Sequence, residues 1–130
     1  MPTVLLIALD PKSVDFSDPG LPPGLNADMM QGALKLAHEE MLGRGWQAEV
    51  CYIQQDANAG VVLDRQLASN VYDCVVIGAG IRQMPSHLAL FETVANAVHR
   101  GAPRASIAFN TGPGDTADAA ARWLGCSGGN

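Results

Sequence analysis

The sequence predicts an α/β protein, a three-layer α/β/α sandwich built around a four-stranded parallel sheet. Four short apolar runs, typical of strands buried on both faces, alternate along the chain with four longer amphipathic segments typical of helices. A helix in every crossover favours parallel strands, right-handed connections and helices on both faces of the sheet. With 130 residues and no internal repeat, the chain is predicted to form one domain over residues 1–130.

The first strand and the long connection after it are the clearest features of the N-terminal part. Val4 to Leu9 form an uninterrupted apolar run, which Asp10 and Pro11 end. The connection from there to Asn26 contains four prolines and two glycines, so neither a helix nor a central strand is expected in it. Connections in α/β units usually take about 2–6 residues, and longer ones are typical of binding loops, lids or interface arms. We expect this loop to form a wall or lid of a site.

The first helix is predicted to begin after Asn26, a good N-cap, and to run to about Arg44. Apolar residues repeat along it at helical spacing, with charged residues between them. The second strand is predicted over Trp46 to Ile53, directly after the glycines that end this helix.

The second helix has a weaker pattern. Asp56 or Asn58 is expected to cap it, and it is expected to continue to about Ser69. Its apolar stripe is predicted to consist of Val61, Val62, Arg65, Leu67 and Ala68.

The stretch from Tyr72 to Arg82 predicts the third strand and, after it, the start of a crevice. A polar lead-in precedes the apolar run Cys74 to Ile77, and two glycines and a cation follow. A buried central strand of a parallel sheet ends in this way at its carboxyl edge, where α/β proteins usually bind ligands.

The two glycines do not complete a dinucleotide fingerprint. Gly78 and Gly80 match the first two positions of GxGxxG, but Gln83 stands at the third and the next helix is expected only from Ser86. The first strand ends without glycine, and no GK[ST] occurs. NAD, FAD and Walker-type nucleotide binding are therefore not expected, and no cofactor is predicted.

The last part of the chain supplies two helices and a strand. The third helix is predicted from Ser86 to Gly101, and the fourth strand over Ala105 to Phe109. Asp115 or Thr116 is expected to cap the last helix. Residues 125–130 are predicted to be a flexible tail.

Four strands connected in this way favour a flavodoxin-like winding with strand order 2-1-3-4. The topological switch point then lies between strands one and three. The alternative is a Rossmann-like order 3-2-1-4, which moves the crevice to the gap between strands one and four.

In either winding, the loops after strands one, three and four meet at one edge of the sheet. The residues they bring there are Asp10, Lys12, Ser13, Gly78, Ala79, Gly80, Arg82, Asn110 and Thr111. Glycines allow close backbone approach, and Arg82 adds a positive charge. All of these except Asp10 and Ser13 form the predicted binding set for a small anionic or polar ligand. The alternative is that the glycines form only a tight turn and that Arg82 pairs with a surface carboxylate.

A small hydrolase or isomerase is the alternative function. Asp10 is the candidate catalytic carboxylate because strand-end carboxylates point into the crevice, although such residues also often cap the next turn. Ser13 is a candidate nucleophile and His87 a candidate general base, unless His87 is a solvated first-turn residue. Scattered histidines and cysteines without a CxxC predict no metal site.

Composition limits the partners. The net charge of −5, without any Lys/Arg cluster, argues against nucleic acid and anionic membranes. Only 16% of residues are charged, against roughly 25% in an average domain, so we expect part of the surface to lie in a homo-oligomer interface. An interaction module without catalysis is therefore a third interpretation. No secretory signal is visible and no apolar run approaches the roughly 18–20 residues that span a bilayer, which predicts a cytoplasmic location.

Two stretches resemble those of small uncharacterised bacterial flavodoxin-like and Rossmann-like α/β proteins. They are the lead-in from Tyr72 to Gly80, and Phe109-Asn110-Thr111 followed by a proline-containing turn. The resemblance covers about residues 3–124. It implies the fold and no particular activity.

Overall fold

The chain forms a parallel sheet of four strands with helices on both of its faces. A computed structural model describes residues 1–19, 21 and 23–128, the side chains of 125–128 excepted. The strands are β1 (Thr3–Leu9), β2 (Gln47–Ile53), β3 (Cys74–Ile77) and β4 (Ser106–Phe109). The helices are α1 (Ala27–Gly43), α2 (Ala59–Ala68), α3 (Ala79–Arg82), α4 (Leu88–Gly101) and α5 (Thr116–Gly128). None of the described helices is both long and apolar enough to cross a membrane.

The strand order is β2-β1-β3-β4, which confirms the predicted flavodoxin-like winding and excludes the order 3-2-1-4. All neighbouring strands are parallel. β1 pairs with β2 as far as Leu9, but with β3 only as far as the pair Ile7 and Ile77. The two central strands therefore separate before β1 ends, and this is the switch point of the sheet.

β1 is apolar from Val4 to Leu9 because both of its faces are buried. Alternate side chains of a strand point to opposite faces. Leu5, Ile7 and Leu9 pack with residues of α2 and α4, whereas Val4 and Leu6 pack with residues of α1 and α5. The sheet thus forms the middle layer of the predicted three-layer sandwich.

The start of α1 is the sequence prediction that the structure reproduces in most detail. Asn26 is the N-cap, and its side-chain oxygen accepts a hydrogen bond of 2.9 Å from the amide of Met29. The helix ends at Gly43, and Gly45 adopts a φ of 86°, the left-handed conformation that commonly follows a helix end.

The predicted apolar stripe of α2 was largely wrong. The buried face consists of Ala59, Leu63 and Leu67, spaced by one helical turn, while Val61 and Val62 are 56% and 40% exposed. Because positions 61–63 are all apolar, the sequence does not show which of these residues faces the core. Packing against α4 buries Leu63.

The prediction for the chain after β3 was also wrong. A one-turn helix, α3, begins at Ala79 directly behind the strand, where an open glycine loop was expected. Residues 85–87 form a 3-10 turn, and α4 begins at Leu88 with His87, not Ser86, at its N-cap position.

The flexible tail predicted over residues 125–130 falls partly on the backbone of α5, which continues to Gly128. Its remainder lies outside the described residues. That the whole chain is one domain stays a prediction.

Gly78 is required by the close approach of β3 to β1. Its amide donates a hydrogen bond of 2.9 Å to the Ile7 carbonyl oxygen. A Cβ at position 78 would lie 2.8 Å from that same oxygen, closer than side-chain carbons and backbone oxygens approach each other. At Gly80, by contrast, a Cβ would meet only the tip of Leu9, at 3.9 Å.

We expect Gly78→Ala to lower the free energy of unfolding by about 2–3 kcal/mol, because either strand must shift to relieve the overlap. The matched control is Gly80→Ala, which should leave stability unchanged or raise it slightly, since alanine favours the helical backbone. Urea denaturation of both variants measures the difference. Equal stabilities for the two variants would show that the contact with Ile7 is not tight.

Candidate functional site

A cavity of about 330 Å³ opens at the carboxyl edge of the sheet, between the ends of β1 and β3. Most of its lining is apolar and comes from β1, the proline-rich loop, α1 and α3. The apolar side chains are Leu6, Ala8, Leu9, Leu21, Leu25, Met29, Met30, Ala33, Leu34, Ala79, Ile81 and Pro113. Its polar side chains are Gln83, Asn110 and Thr111, and none of its lining residues is charged.

The structure brings five of the predicted ligand-binding residues together around this cavity. They are Gly78, Ala79, Gly80, Asn110 and Thr111. The two predicted cations, Lys12 and Arg82, do not line it. The leucines of the loop and the methionines of α1 were not among the predicted site residues, because apolar side chains carry no sign of a site in sequence.

Arg82 is directed towards the edge strand instead of the cavity. Its guanidinium carbon lies 5.4 Å from the centre of the Phe109 ring, and Phe91 meets that ring edge-on at 6.1 Å. Its Nε is a buried nitrogen that has no hydrogen-bond partner within the described part of the chain. Arg82 therefore packs α3 against β4 and forms no ion pair with a carboxylate of the described residues. Its predicted role in ligand binding stays a prediction.

Asn110 holds the ends of β3 and β4 together. It is 2% exposed, and its side-chain oxygen accepts a hydrogen bond of 2.8 Å from the Ala79 amide. Its side-chain nitrogen donates to the Thr116 hydroxyl at 2.9 Å, and that hydroxyl donates to the Pro113 carbonyl. One side chain thus connects the first turn of α3, the end of β4 and the start of α5.

The carboxylate of Asp115 is hydrogen-bonded to the backbone amides that follow Asn110. Its carboxylate accepts hydrogen bonds from the amides of Thr111 and Gly112 and from the Thr111 hydroxyl. Desolvation acts to raise the pKa of Asp115, but these hydrogen bonds outweigh it and hold the pKa below the ordinary value of 3.8. The amides that could hold a ligand anion after β4 therefore already hold a carboxylate of the protein.

Asp10 caps the turn that follows β1. Its side-chain oxygen accepts from the Lys12 amide at 3.0 Å, and its own amide donates to the Ile53 carbonyl. The Ser13 hydroxyl donates to the Asp10 carbonyl at 2.8 Å. Asp10 lines neither the cavity described above nor the one described next, so its geometry is that of a cap.

Ser13 and His87 line a second cavity, of about 290 Å³, beside the first. His87 is only 8% exposed, so the expectation of a solvated first-turn residue was wrong. Its Nδ1 lies 2.8 Å from the Gly80 carbonyl oxygen. A carbonyl can only accept, so Nδ1 carries the proton and Nε2 of the neutral ring is an acceptor.

The described part of the chain contains two buried cysteines and several side chains of the kinds that bind metals. Burial raises the pKa of Cys51 and of Cys74 to about 11, so both thiols stay protonated at neutral pH. Among the described residues, no group of three His, Cys, Asp or Glu side chains is placed to hold a metal ion.

Comparison of the chain with protein-family models, curated proteins and solved structures gives no match. The interpretation of the two cavities accordingly rests on their geometry.

Replacing Asn110 by alanine should cost about 2–4 kcal/mol, because the buried Ala79 amide loses its acceptor and the Thr116 hydroxyl loses the donor that it accepts from. Thr116→Val keeps the volume and removes only the hydroxyl, so its cost should be smaller, about 1–2 kcal/mol. Thermal and urea unfolding measure both values. Asn96→Ala, on the exposed side of α4, is the control and should change stability by less than about 0.5 kcal/mol. An Asn110→Ala variant with the stability of the wild type would contradict the role assigned to this side chain.

Asp115 should contribute a pH-dependent part of the stability. Its pKa is lower in the folded than in the unfolded protein, so the contribution is fully present above the ordinary value of 3.8 and is lost as the pH falls through the lowered pKa. Asp115→Asn should therefore be less stable than the wild type near neutral pH, and the gap should narrow in acid. Unfolding titrations at several pH values test this, with Glu39→Gln on the exposed side of α1 as the control. A difference in stability between Asp115→Asn and the wild type that does not change with pH would contradict the prediction.

Proposed function

We propose that this protein binds a small molecule in the cavity between β1 and β3, and that the ligand is mainly apolar and carries a polar group. The cavity itself is the observation that carries the proposal. It lies outside the carboxyl ends of the strands at the switch point, the usual ligand position in open α/β sheets. Its volume is at the lower end of the roughly 300–1,000 Å³ typical of ligand sites, and it combines an apolar lining with a few polar groups.

Of the two ligand types expected from the sequence, anionic or polar, the lining supports a polar one. Lys12 and Arg82 lie outside the cavity, and the amides of Ala79, Thr111 and Gly112 are engaged by side chains of the protein. An anion here would lose its hydration without gaining a cation, which costs several kcal/mol. Gln83 and Thr111 are neutral groups at the rim that can hydrogen-bond a hydroxyl or carbonyl of the ligand.

The proline-rich loop supports the proposal because it contributes to the cavity wall. Leu21 and Leu25 reach the lining from a connection several times longer than α/β units need. Pro19 and Pro23 restrict the backbone of this loop, so ordering it around a ligand costs less conformational entropy.

The remaining interpretations stay predictions. For a hydrolase or isomerase, Ser13 and His87 share the second cavity, but Asp10 is occupied by the Lys12 amide and does not join them. The interaction module, the homo-oligomer and the cytoplasmic location rest on the sequence alone.

The methionines offer a direct test of binding. Met29 and Met30 line the cavity, Met41 is buried in the core, and Met1 is 82% exposed at the N-terminus. We expect hexanol, a neutral probe with an apolar chain, to shift the methyl resonances of Met29 and Met30 in a saturable manner. The resonances of Met1 and Met41 should stay in place. Titration of protein labelled with carbon-13 at the methionine methyls measures this.

Filling the cavity should abolish the shifts. Ala33→Phe places a ring into the lining from α1 and should weaken hexanol binding at least about tenfold, since the apolar volume is no longer free. Glu39→Phe adds the same ring on the exposed side of the same helix and should leave binding unchanged. If hexanol bound Ala33→Phe as it binds the wild type, the cavity would not be the site.

A further inference from the structure

We infer that the cavity between β1 and β3 and the cavity beside His87 are two compartments of one site, and that the site takes an amphipathic amine. Its apolar part lies in the first compartment and its ammonium group in the second. The inference rests on the proposed function, which it makes more specific by naming the chemical class of the ligand.

The two compartments have a common wall. Leu9, Leu21, Met30 and Gly80 line both cavities. Gly80 has no side chain to close the passage, and Met30 is a half-buried, unbranched side chain that changes rotamer readily. The partition is therefore thin and partly movable, and a ligand with an extended chain can reach from one compartment into the other.

The second compartment presents acceptors. Nδ1 of His87 is engaged by Gly80, and Nε2 has no partner among the described residues. The residue is 92% removed from solvent, and it lines the second cavity. We therefore place the lone pair of Nε2 at this cavity, where it can accept a hydrogen bond from a ligand donor.

The charge of the second compartment is negative. Asp15 and Asp18 line it, and no Lys or Arg is among its lining residues. Hydrogen bonds from the Ser17 hydroxyl and amide lower the pKa of Asp15, so its carboxylate stays ionised well into acid. Two carboxylates and an imidazole acceptor suit a charged N–H donor, whereas a carboxylate or phosphate head group would be repelled.

The contrast between the compartments fixes the orientation of the ligand. The first compartment contains no charged residue, so an ammonium group buried there would lack a counter-charge. The apolar chain consequently lies towards Met29 and Ala33 of α1, and the head group lies towards His87.

The test compares probes that share one chain and differ in the head group, namely hexylamine, hexanol and hexanoate. Near pH 8 the alkylamine is charged. Met29 lines only the first compartment and Met84 only the second, while Met30 lines both. We expect hexylamine to shift all three methyl resonances with one saturation curve, to bind about tenfold tighter than hexanol, and hexanoate to bind more weakly than hexanol.

Two variants test the head-group contacts. His87→Asn keeps a donor for the Gly80 carbonyl, in the place of Nδ1–H, and removes Nε2. Asp15→Asn keeps an acceptor for the Ser17 groups and removes the charge. Each should reduce the preference for hexylamine over hexanol several-fold. Asp28→Asn, in the first turn of α1 and outside both linings, should leave the preference as it is.

The outcomes separate the two proposals. If hexanol shifts Met29 but hexylamine binds no tighter, or leaves Met84 in place, the two-compartment site is overturned and the proposed function stands. If both His87→Asn and Asp15→Asn retain the full preference, the head-group position is wrong. If no probe shifts Met29, the proposed function falls, and the inference with it.

Discussion

The contact between Gly78 and the Ile7 carbonyl determines where the two central strands separate. β3 ends at Ile77, and the amide of the next residue, Gly78, still donates to the Ile7 carbonyl. Because Gly78 has no Cβ, its backbone can lie this close to Ile7 as the chain leaves the sheet. β1 continues to Leu9 alongside β2. The gap between the longer and the shorter strand becomes the cavity, which α1 and the proline-rich loop then cover. The site is thus a consequence of one unequal pairing at the switch point.

The same topology commonly holds phosphate groups on backbone amides, and this chain uses those amides internally. The Ala79 amide donates to Asn110, and the amides of Thr111 and Gly112 donate to Asp115. Each bond stabilises the joints between strands and helices, since buried or partly buried amides need an acceptor. With these donors satisfied, the crevice keeps mainly apolar walls. This arrangement distinguishes the chain from nucleotide-binding proteins of similar winding more clearly than its incomplete glycine pattern does.

Much of the fold could be predicted because the signals for it are local. The apolar run of β1, the N-cap Asn26 and the alternation of elements predict the parallel sheet and its helices. The strand order 2-1-3-4 was favoured over 3-2-1-4, and the structure confirms it. What could not be predicted depends on distant residues. Ala-Gly-Ile-Arg is a poor helix by propensity, and α3 forms because Asn110, far along the chain, accepts its first amide hydrogen. The buried face of α2 was likewise selected by α4 and not by its own pattern.

The position of the cavity at the switch point could be predicted from topology, but the direction of the polar side chains around it could not. A polar side chain at a strand end can either point into the cavity or interact with groups of the protein nearby. For Asp10 the local amide of Lys12 is the partner, and for Arg82 the Phe109 ring is. His87 differs because it has two nitrogens with separate roles. The bond from Nδ1 to Gly80 fixes the ring and its tautomer, and Nε2 remains for the cavity. A side chain anchored in this way keeps its orientation before any ligand arrives, which is the condition for a selective site.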